Sequence, residues 1–244
     1  MNRTQNESEV VMTEENGEEP KTIDERVEKE FNAALYVLLR RYQTLFGKPN
    51  ENGKREGAMF HAAAPETLFR LLQDRMEVMH ECFASPFNCY FRSYCSAFPD
   101  TDGVFGSSGS FFNFKPKSGS YQVGPPYTEE VMEMTANHCI ELLDKAEEAL
   151  SFIIFVPDWR TPLQAAQALM EDSPWTRTHF IAEGGKHSYI VGDQHLKALG
   201  TKKDHLVLPF ATRVYVLQNE QAMERWGFEK EEWKEKILAE LGKP

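Results

Sequence analysis

Cysteine is scarce in this sequence, and its spacing excludes two common uses of the residue. The four cysteines are Cys82, Cys89, Cys95 and Cys139. They contain no C-x-x-C pair, so a zinc ribbon and a thioredoxin-like redox motif are excluded and reduced thiols are expected. His187 and His195 lie eight residues apart across a predicted loop, but no third ligand with suitable spacing accompanies them, and we predict no metal site.

Long hydrophobic stretches and phosphate-binding loops are missing as well. The apolar run at residues 152–156 has five residues, whereas a transmembrane helix needs about 20. No apolar segment follows the first Met, so the pattern predicts an intracellular, soluble protein without a membrane partner. Neither G-x-G-x-x-G nor a Gly-rich loop ending in Lys-Ser/Thr is present, which disfavours nucleoside-triphosphate chemistry.

Basic residues are also fewer than acidic residues in this sequence. The chain has 27 Lys and Arg against 38 Asp and Glu, a formal net charge of −11. Residues 1–30 hold four basic and ten acidic side chains and so carry −6 of it. Any RNA contact must therefore come from a local patch, with modest and salt-sensitive binding. One basic stretch, either a phosphate track or a solvated loop, contains Lys186, Lys197, Lys202 and Lys203.

Apolar and aromatic residues, in contrast, are abundant. Apolar side chains make up 41% of the 244 residues, with 17 Phe, 8 Tyr and 4 Trp. This composition predicts a hydrophobic core, and the length suits one sizeable α/β domain with a helical extension. We divide the chain into a disordered acidic tail at residues 1–22, a helical N-terminal extension at 23–78 and an α/β domain at 79–244.

Hydrophobic periodicity predicts the elements of these regions. Apolar residues recur at three- and four-residue steps from Ile23 to Phe46, which is typical of one helix face, and a second helix opens near Pro65. Further helices are predicted through Tyr90, Tyr94 and Phe98, after an N-cap at Thr128, and at 229–241. The predicted strands are residues 79–83, 110–114, 121–123, 150–156, 179–183, 188–191, 205–210 and 213–217. Strand–helix alternation implies a parallel sheet, here ending in antiparallel strands.

The tetrapeptide Gly124-Pro125-Pro126-Tyr127 lies between a predicted strand and a predicted helix. Ligands of open α/β sheets bind at the carboxyl ends of strands, so this position favours a ligand site over an ordinary strand exit. The motif resembles that of enzymes which methylate the exocyclic amine of adenine, where Asn, Asp or Ser precedes two prolines and an aromatic residue. In those enzymes a side-chain acceptor and a backbone carbonyl bind the amine while the ring holds the base flat. Here Gly124 offers no side chain, but the carbonyl before Pro125 and the ring of Tyr127 remain.

Longer stretches carry a more specific resemblance. They are residues 81–92 (ECFASPFNCYFR), 94–103 (YCSAFPDTDG), 152–160 (FIIFVPDWR), the spaced His187-x-Tyr189-x-x-Gly192-x-Gln194-His195, and Leu217-Gln218-Asn219. Together with the tetrapeptide they resemble the phosphorylated CTD-interacting factor family over about residues 30–228. That family methylates N6 of the adenosine that starts a capped mRNA, with S-adenosylmethionine as the methyl donor.

The resemblance implies a Rossmann-like class I methyltransferase domain at 79–244 with a short N-terminal helical cover. It implies S-adenosylmethionine as cofactor, RNA with a capped 5′ end as partner, and nuclear localisation, with the cytoplasm as the alternative. We find no counterpart of the family's WW module, because no Trp pair has the required spacing, and much of its helical domain is missing. A protein partner that supplies the helical or polymerase-binding part is therefore expected.

The resemblance also assigns site residues. The catalytic positions are Gly124, Pro125, Pro126 and Tyr127. The cofactor positions are Phe83, Ala84, Ser85 and Pro86 in the first cofactor loop, with Gln218 and Asn219 on the ribose or, alternatively, as polar residues that end a strand. The substrate positions are Trp159 and Arg160, for stacking and charge pairing with RNA or as a strand-end anchor, and the pocket or loop residues His187 and His195.

The functional prediction is a methyltransferase that acts on adenosine N6 of RNA at or near the capped end. The alternative is a catalytically inactive RNA- or protein-binding module, because Gly124 lacks the side-chain acceptor. A third hypothesis is a methyltransferase with another target, since Gly124 widens the pocket. If the pocket is otherwise intact, Gly124→Asn is expected to raise the rate.

Overall fold

Helices and a mixed β-sheet alternate along the chain in the computed structural model, which describes residues 23–48, 50–51, 57, 61–160, 162–191, 205–227 and 230–242. The predicted acidic tail and His195 lie outside these residues. The helices are α1 (Ile23–Phe46), α2 (Glu66–Met76), α3 (Pro99–Asp102), α4 (Glu129–Lys145), α5 (Ala165–Asp172), α6 (Glu220–Trp226) and α7 (Lys230–Leu241). The strands are β1 (His80–Glu81), β2 (Ser93–Tyr94), β3 (Gly119–Val123), β4 (Leu150–Pro157), β5 (Thr176–Ala182), β6 (Ser188–Ile190), β7 (His205–Val207) and β8 (Thr212–Gln218).

The main sheet has six strands in the order β2-β1-β3-β4-β8-β5. Pairing is parallel from β2 to β4, and β8 runs antiparallel to both β4 and β5. The carboxyl ends of β1, β3 and β4 therefore meet at one edge, where the next residues are Cys82, Gly124 and Asp158. Strands β6 and β7 form a separate antiparallel pair. The predicted parallel sheet with antiparallel final strands is confirmed, although β6 and β7 do not belong to it.

Two helical layers bury the two faces of this sheet. Strand β4 is buried along all eight residues, as its unbroken apolar pattern predicts. On one face Ile153 and Phe155 join a core with residues of α2 and α7, including Leu72 and Ile237. On the other face Phe152 joins a core with residues of α4 and α5. None of the helices in the described ranges is long and apolar enough to cross a membrane.

Helix α1 docks on the segment after β1 through an aromatic contact. Tyr42 is fully buried, and its ring lies edge-on to Phe87 and Phe98 at 5.1 and 5.6 Å between centroids. Its hydroxyl donates a 2.7 Å hydrogen bond to Oδ2 of Asp102, which is also fully buried. This contact anchors the carboxyl half of α1, whereas Val27 and other apolar residues of the amino half remain exposed.

Two predicted elements are wrong. The helix predicted through Tyr90, Tyr94 and Phe98 does not form, because the Glu81 carboxylate accepts the amide hydrogens of Tyr90 and Phe91 and Tyr94 pairs in β2. The strand predicted at 110–114 is instead a short 3₁₀ helix, Phe111–Asn113.

Two local predictions need smaller corrections. The strand predicted at 79–83 narrows to the two residues of β1. Thr128 occupies the N-cap position of α4, but its side chain makes no capping hydrogen bond, and its carbonyl accepts from Met132. On α4, Met132 and Cys139 are buried against the sheet core, whereas Met134 is 52% exposed. All four cysteines are free thiols.

Candidate functional site

A cavity of about 250 Å³ opens at the carboxyl edge of β1, β3 and β4. Its size is near the lower end of the about 300–1,000 Å³ typical of ligand pockets. Its walls come from the strand tips, α2 with the residues before it, and the β6–β7 region. The lining residues are Ala62, Ala63, Ala64, Phe69, Glu81, Phe83, Asn88, Gln122, Gly124, Pro125, Pro126, Tyr127, Phe155, Trp159, Tyr189, Leu208 and Phe210. All four residues of the predicted catalytic motif thus lie on one cavity.

Three aromatic rings from different segments meet at the rim of this cavity. The ring centroid of Tyr127 lies 6.4 Å from Trp159 and 6.1 Å from Phe210, and the Trp159–Phe210 distance is 6.4 Å. Trp159 is 36% exposed, so it offers an accessible ring face. Aromatic side chains in such an arrangement can stack on a nucleic-acid base without reading its sequence.

The hydroxyl of Tyr127 lies near the hydroxyl of Tyr189. Burial raises the pKa of Tyr127 well above its ordinary value, and the neighbouring Tyr189 raises it further. The phenol therefore stays protonated at neutral pH and acts as a hydrogen-bond donor. The hydroxyl of Thr212 lowers the same pKa, so the hydroxyl groups of Tyr127, Tyr189 and Thr212 lie close to one another.

Glu81 is the buried carboxyl group of the cavity. It is only 3% exposed, and its Oε1 accepts hydrogen bonds of 2.7 and 3.0 Å from the amides of Tyr90 and Phe91. Burial raises the pKa of Glu81 to about 7, although these two amides act in the opposite direction. Glu81 can therefore be neutral or charged at physiological pH, depending on what binds beside it.

The predicted cofactor loop at residues 83–86 reaches the cavity through Phe83 alone. The backbone amide of Ala84 donates to the carbonyl of Cys95 at 2.8 Å. Ser85 is fully buried, and both its amide and its hydroxyl donate to Oδ1 of Asn88. Pro86 starts the turn that these bonds close. The loop is thus held in a single conformation beside the strand tip.

Gln218 and Asn219 do not lie at this edge, which corrects their assignment to the cofactor. Gln218 pairs with Ser151 near the start of β4, so both residues sit at the opposite end of the sheet. The amide of Gln218 donates to Ser151 Oγ. Asn219 caps α6 by accepting from the Ala222 amide, and it also accepts from Leu150. Their alternative interpretation, polar residues that end a strand, agrees with these contacts.

Trp159 and Arg160 separate at the end of β4. Trp159 lines the cavity, whereas Arg160 points its guanidinium at Asp158 and Glu171. Asp158 also accepts a 2.7 Å hydrogen bond from Arg213 Nε, and Glu171 accepts from the Tyr215 hydroxyl. Arg160 is therefore neutralised by two carboxylates, and the structure does not bring it to the cavity.

His187 is also held away from the cavity. It is 3% exposed, its Nδ1 lies 2.8 Å from the Glu183 carbonyl and its Nε2 lies 2.8 Å from Thr212 Oγ1. Burial lowers its pKa, so the ring is neutral at physiological pH. These contacts support the turn between β5 and β6 and agree with the interpretation of His187 as a loop residue. His195 lies outside the described residues.

Sequence reasoning missed Glu81 and Gln122, two of the polar residues of the cavity. They are Cα partners in the parallel pairing of β1 and β3. Glu81 stands at the start of the resembling 81–92 stretch, and Gln122 two residues before the motif. The alternation of strand side chains could have placed Gln122 on the face of Gly124. Leu208 and Phe210 carried no signal of a site, because distant pairing brings them here, whereas Tyr189 belongs to the resembling stretch that begins at His187.

A larger depression of about 600 Å³ lies at the opposite edge of the sheet, between α4 and the segment before β3. Its charged residues are Lys115, Lys117, Glu141, Lys145, Glu147 and Glu148. Opposite charges alternate there, and none of the predicted site residues lines it. Within the described ranges no group of three or more His, Cys, Asp or Glu side chains could hold a metal ion.

Known proteins resemble this chain over most of its length. A family model described as phosphorylated CTD interacting factor 1 WW domain matches residues 16–192. A relative from Mus musculus named mRNA (2'-O-methyladenosine-N(6)-)-methyltransferase is 41% identical over 207 residues. A Homo sapiens relative of the same name is 42% identical over 206 residues. Both alignments cover 84% of this chain and 28% of the relative, so the chain spans about 28% of the length of these curated relatives.

Proposed function

The chain belongs to the phosphorylated CTD interacting factor 1 family, and from this premise we propose that it transfers a methyl group from S-adenosylmethionine to N6 of an adenosine in RNA. The observation that carries this proposal is the cavity at the carboxyl end of β3, where the Gly124–Tyr127 motif meets Trp159 and Phe210. The names of the two relatives support a 2'-O-methylated adenosine of mRNA as the target.

The sheet topology supports a class I methyltransferase domain. The antiparallel strand β8 lies between β4 and β5, which run parallel to each other. An inserted antiparallel strand next to the last parallel one is typical of that class. Ligands of such open sheets bind at the carboxyl edge, where the cavity lies. The helices before β1 would then form the N-terminal cover of residues 23–78.

The residues at the tip of β1 fit S-adenosylmethionine. Glu81 commits Oε1 to backbone amides, while Oε2 has no hydrogen bond within the described part of the chain and can accept from a ribose hydroxyl or an ammonium group. Phe83 offers an apolar wall, and the Ser85–Asn88 turn fixes the neighbouring backbone. When bound, the cofactor supplies an electrophilic methyl group.

The chain's own contribution is to hold the adenine amine and exclude water. The backbone carbonyl of Gly124 accepts one N–H of the amine. The rings of Tyr127, Trp159 and Phe210 hold the base by stacking and edge contacts. The amine is a weak nucleophile because its lone pair is delocalised into the ring. The protein therefore promotes the reaction mainly by holding both N–H groups at hydrogen-bond acceptors. The proton lost from nitrogen after transfer passes to solvent.

Partners follow from the same proposal. The substrate is RNA with a capped 5′ end, in the nucleus, and a second protein supplies the polymerase-binding or helical part. The domain limits at 1–22, 23–78 and 79–244 remain predictions.

A methyl-transfer assay tests the function. Labelled S-adenosylmethionine is incubated with capped and uncapped RNAs that begin with adenosine or 2'-O-methyladenosine, and cofactor binding is measured by calorimetry. We expect transfer to capped RNA. Tyr127→Ala should lower it about 10- to 100-fold, because a base loses one aromatic contact. Tyr36→Ala, at an exposed tyrosine of α1, is the matched control.

The second candidate is a catalytically inactive binding module, which the missing side chain at Gly124 favours. Loss of one preorganised polar group can cost about 10²–10³ in rate. Cofactor binding without transfer to any of the four RNAs would support this candidate and contradict the enzyme.

A further inference from the structure

The space next to Gly124 is filled by another residue of the same strand. A Cβ atom built on Gly124 would lie 3.0 Å from Nε2 of Gln122. Residues two apart on a strand point to the same face, so both positions serve one side of β3. Gln122 is 5% exposed and lines the cavity. Its side-chain amide therefore sits beside the place where a side chain at position 124 would begin.

Of the two carboxamide side chains that line the cavity, Asn88 and Gln122, only that of Gln122 is uncommitted among the described residues. Oε1 of Glu81 is taken by two backbone amides. Asn88 accepts from Ser85 and donates to the His61 carbonyl. The side-chain amide of Gln122, in contrast, makes no hydrogen bond with another described residue, whereas its backbone carbonyl accepts from the Cys82 amide. The carboxamide is therefore available to a ligand that enters the cavity.

We propose that the side-chain amide of Gln122 takes the place of the acceptor that Gly124 lacks and binds the exocyclic amine of an adenine base. This inference rests on the proposed function only in taking adenine as the base. A carboxamide matches an adenine edge, since its oxygen accepts from N6–H while its nitrogen donates to a ring nitrogen. Gln and Asn make this bidentate contact equally well. Gln122 precedes position 124 by two residues, but its side chain is one methylene longer than that of Asn. Its amide therefore reaches the region that the amide of an Asn at position 124 would occupy.

The backbone carbonyl of Gly124 adds selectivity. The amide of Gln122 alone could rotate and donate to a keto oxygen, as in guanine. A carbonyl can only accept, so it repels a keto oxygen and favours an amine. The pair Gln122 and Gly124 would therefore read adenine, with one N–H bound by each residue.

Base discrimination is the direct test. Binding of a short capped RNA that begins with adenosine is compared by fluorescence anisotropy with the same RNA beginning with purine riboside, which lacks the amine. The wild-type protein should prefer adenosine about 10- to 100-fold. Gln122→Met, which keeps the volume and removes the amide, should reduce the preference to about twofold. The affinity for the adenosine RNA should fall more than that for the purine riboside RNA, because the latter loses only the contact to the ring nitrogen.

Three further variants serve as controls. Gln218→Met, at a buried strand glutamine on the opposite edge of the sheet, should keep the preference of the wild type. Gly124→Asn in a Gln122→Ala background should restore the preference, because the new carboxamide enters vacated space. Gly124→Asn alone should add little, since its Cβ would stand 3.0 Å from the Gln122 amide.

The outcomes separate this inference from the proposed function. Methyl transfer by the wild type together with an unchanged preference in Gln122→Met would overturn the role of Gln122 and leave the function standing. A preference that Gln122→Met abolishes, without methyl transfer, would support Gln122 and contradict the enzyme. A wild-type protein that binds both RNAs equally would overturn the inference.

Discussion

At the scale of single residues, Glu81 is the group whose ionisation is most closely tied to the cavity. Its carboxyl group is buried and bound to two backbone amides, and its pKa lies near 7. Burial penalises the charged form, so this glutamate costs stability wherever it is ionised. A cationic or hydroxyl-bearing ligand beside Oε2 would offset that cost, which links ligand binding to pH.

Glu81→Gln should stabilise the protein at high pH. The folded pKa of about 7 lies above the ordinary value of 4.5, so the stability contribution is fully present below pH 4.5 and is lost as pH rises through 7. A glutamine keeps the acceptor and cannot ionise. The gain in unfolding free energy over wild type should grow to about 3 kcal/mol at pH 8. Urea unfolding at pH 5 and pH 8 measures it.

Glu183→Gln is the control for this prediction. Glu183 is exposed, and the hydrogen bond from Lys186 lowers its pKa. Its replacement removes a favourable interaction and should not stabilise the protein at pH 8. An equal effect of Glu81→Gln at pH 5 and pH 8 would show that burial of its carboxyl group is not what perturbs this residue.

At the scale of elements, α1 depends on Tyr42 for its attachment. The Tyr42 ring packs between aromatic residues of the segment after β1, and its hydroxyl supplies the hydrogen bond to buried Asp102. Burial raises the pKa of Asp102, against the effect of this bond. Oδ1 of Asp102 has no hydrogen-bond partner within the described ranges. The hydrogen bond from the Tyr42 hydroxyl therefore offsets an important part of the cost of burying this carboxylate.

Tyr42→Phe should therefore destabilise the protein by about 1–3 kcal/mol, the cost of leaving a buried polar group unsatisfied. The aromatic packing is unchanged in this variant, so the loss reports the hydroxyl alone. Tyr36→Phe, on the exposed side of the same helix, should have no measurable effect. Thermal or urea unfolding of both variants is the measurement, and equal stabilities would contradict the anchoring role.

Element prediction succeeded where the pattern was local and failed where a distant group intervened. The periodicity of residues 23–46 predicts α1 to the residue, and the apolar run at β4 predicts a central strand. The segment after β1 was predicted as a helix because its aromatic residues have helical spacing. The Glu81 carboxylate instead takes two of the amides that a helix would use. Helices α5 and α6 were not predicted.

At the scale of the whole molecule, charge opposes the proposed substrate. The formal net charge is −11, and residues 1–22 contribute −4 of it through two basic and six acidic side chains. A negative field slows the approach of RNA, and it acts over about a Debye length, roughly 8–10 Å at physiological salt. Affinity must then come from stacking in the cavity and from local contacts.

Removal of residues 1–22 should raise the affinity for capped RNA at 50 mM salt and have little effect at 1 M, where charges more than about 3 Å apart are screened. The reason is electrostatic, since the deleted segment lowers the potential that repels phosphate. Anisotropy titrations over this salt range give the comparison. A truncated protein with unchanged affinity at 50 mM would show that the acidic segment does not influence RNA binding.

The sequence by itself determined the alternation of helices and strands, the position of Gly124–Tyr127 at a strand end and the family to which the chain belongs. These properties depend on periodicity and on contiguous motifs, both of which can be recognised in the amino-acid sequence. Only the tertiary structure decided which polar side chains form hydrogen bonds within the protein and which remain available to a ligand. Asn219 and His187 have partners from distant segments and serve the fold, whereas Gln122 keeps its amide free in the cavity. Hydrogen bonds between residues far apart in sequence make that difference, and no local pattern records them.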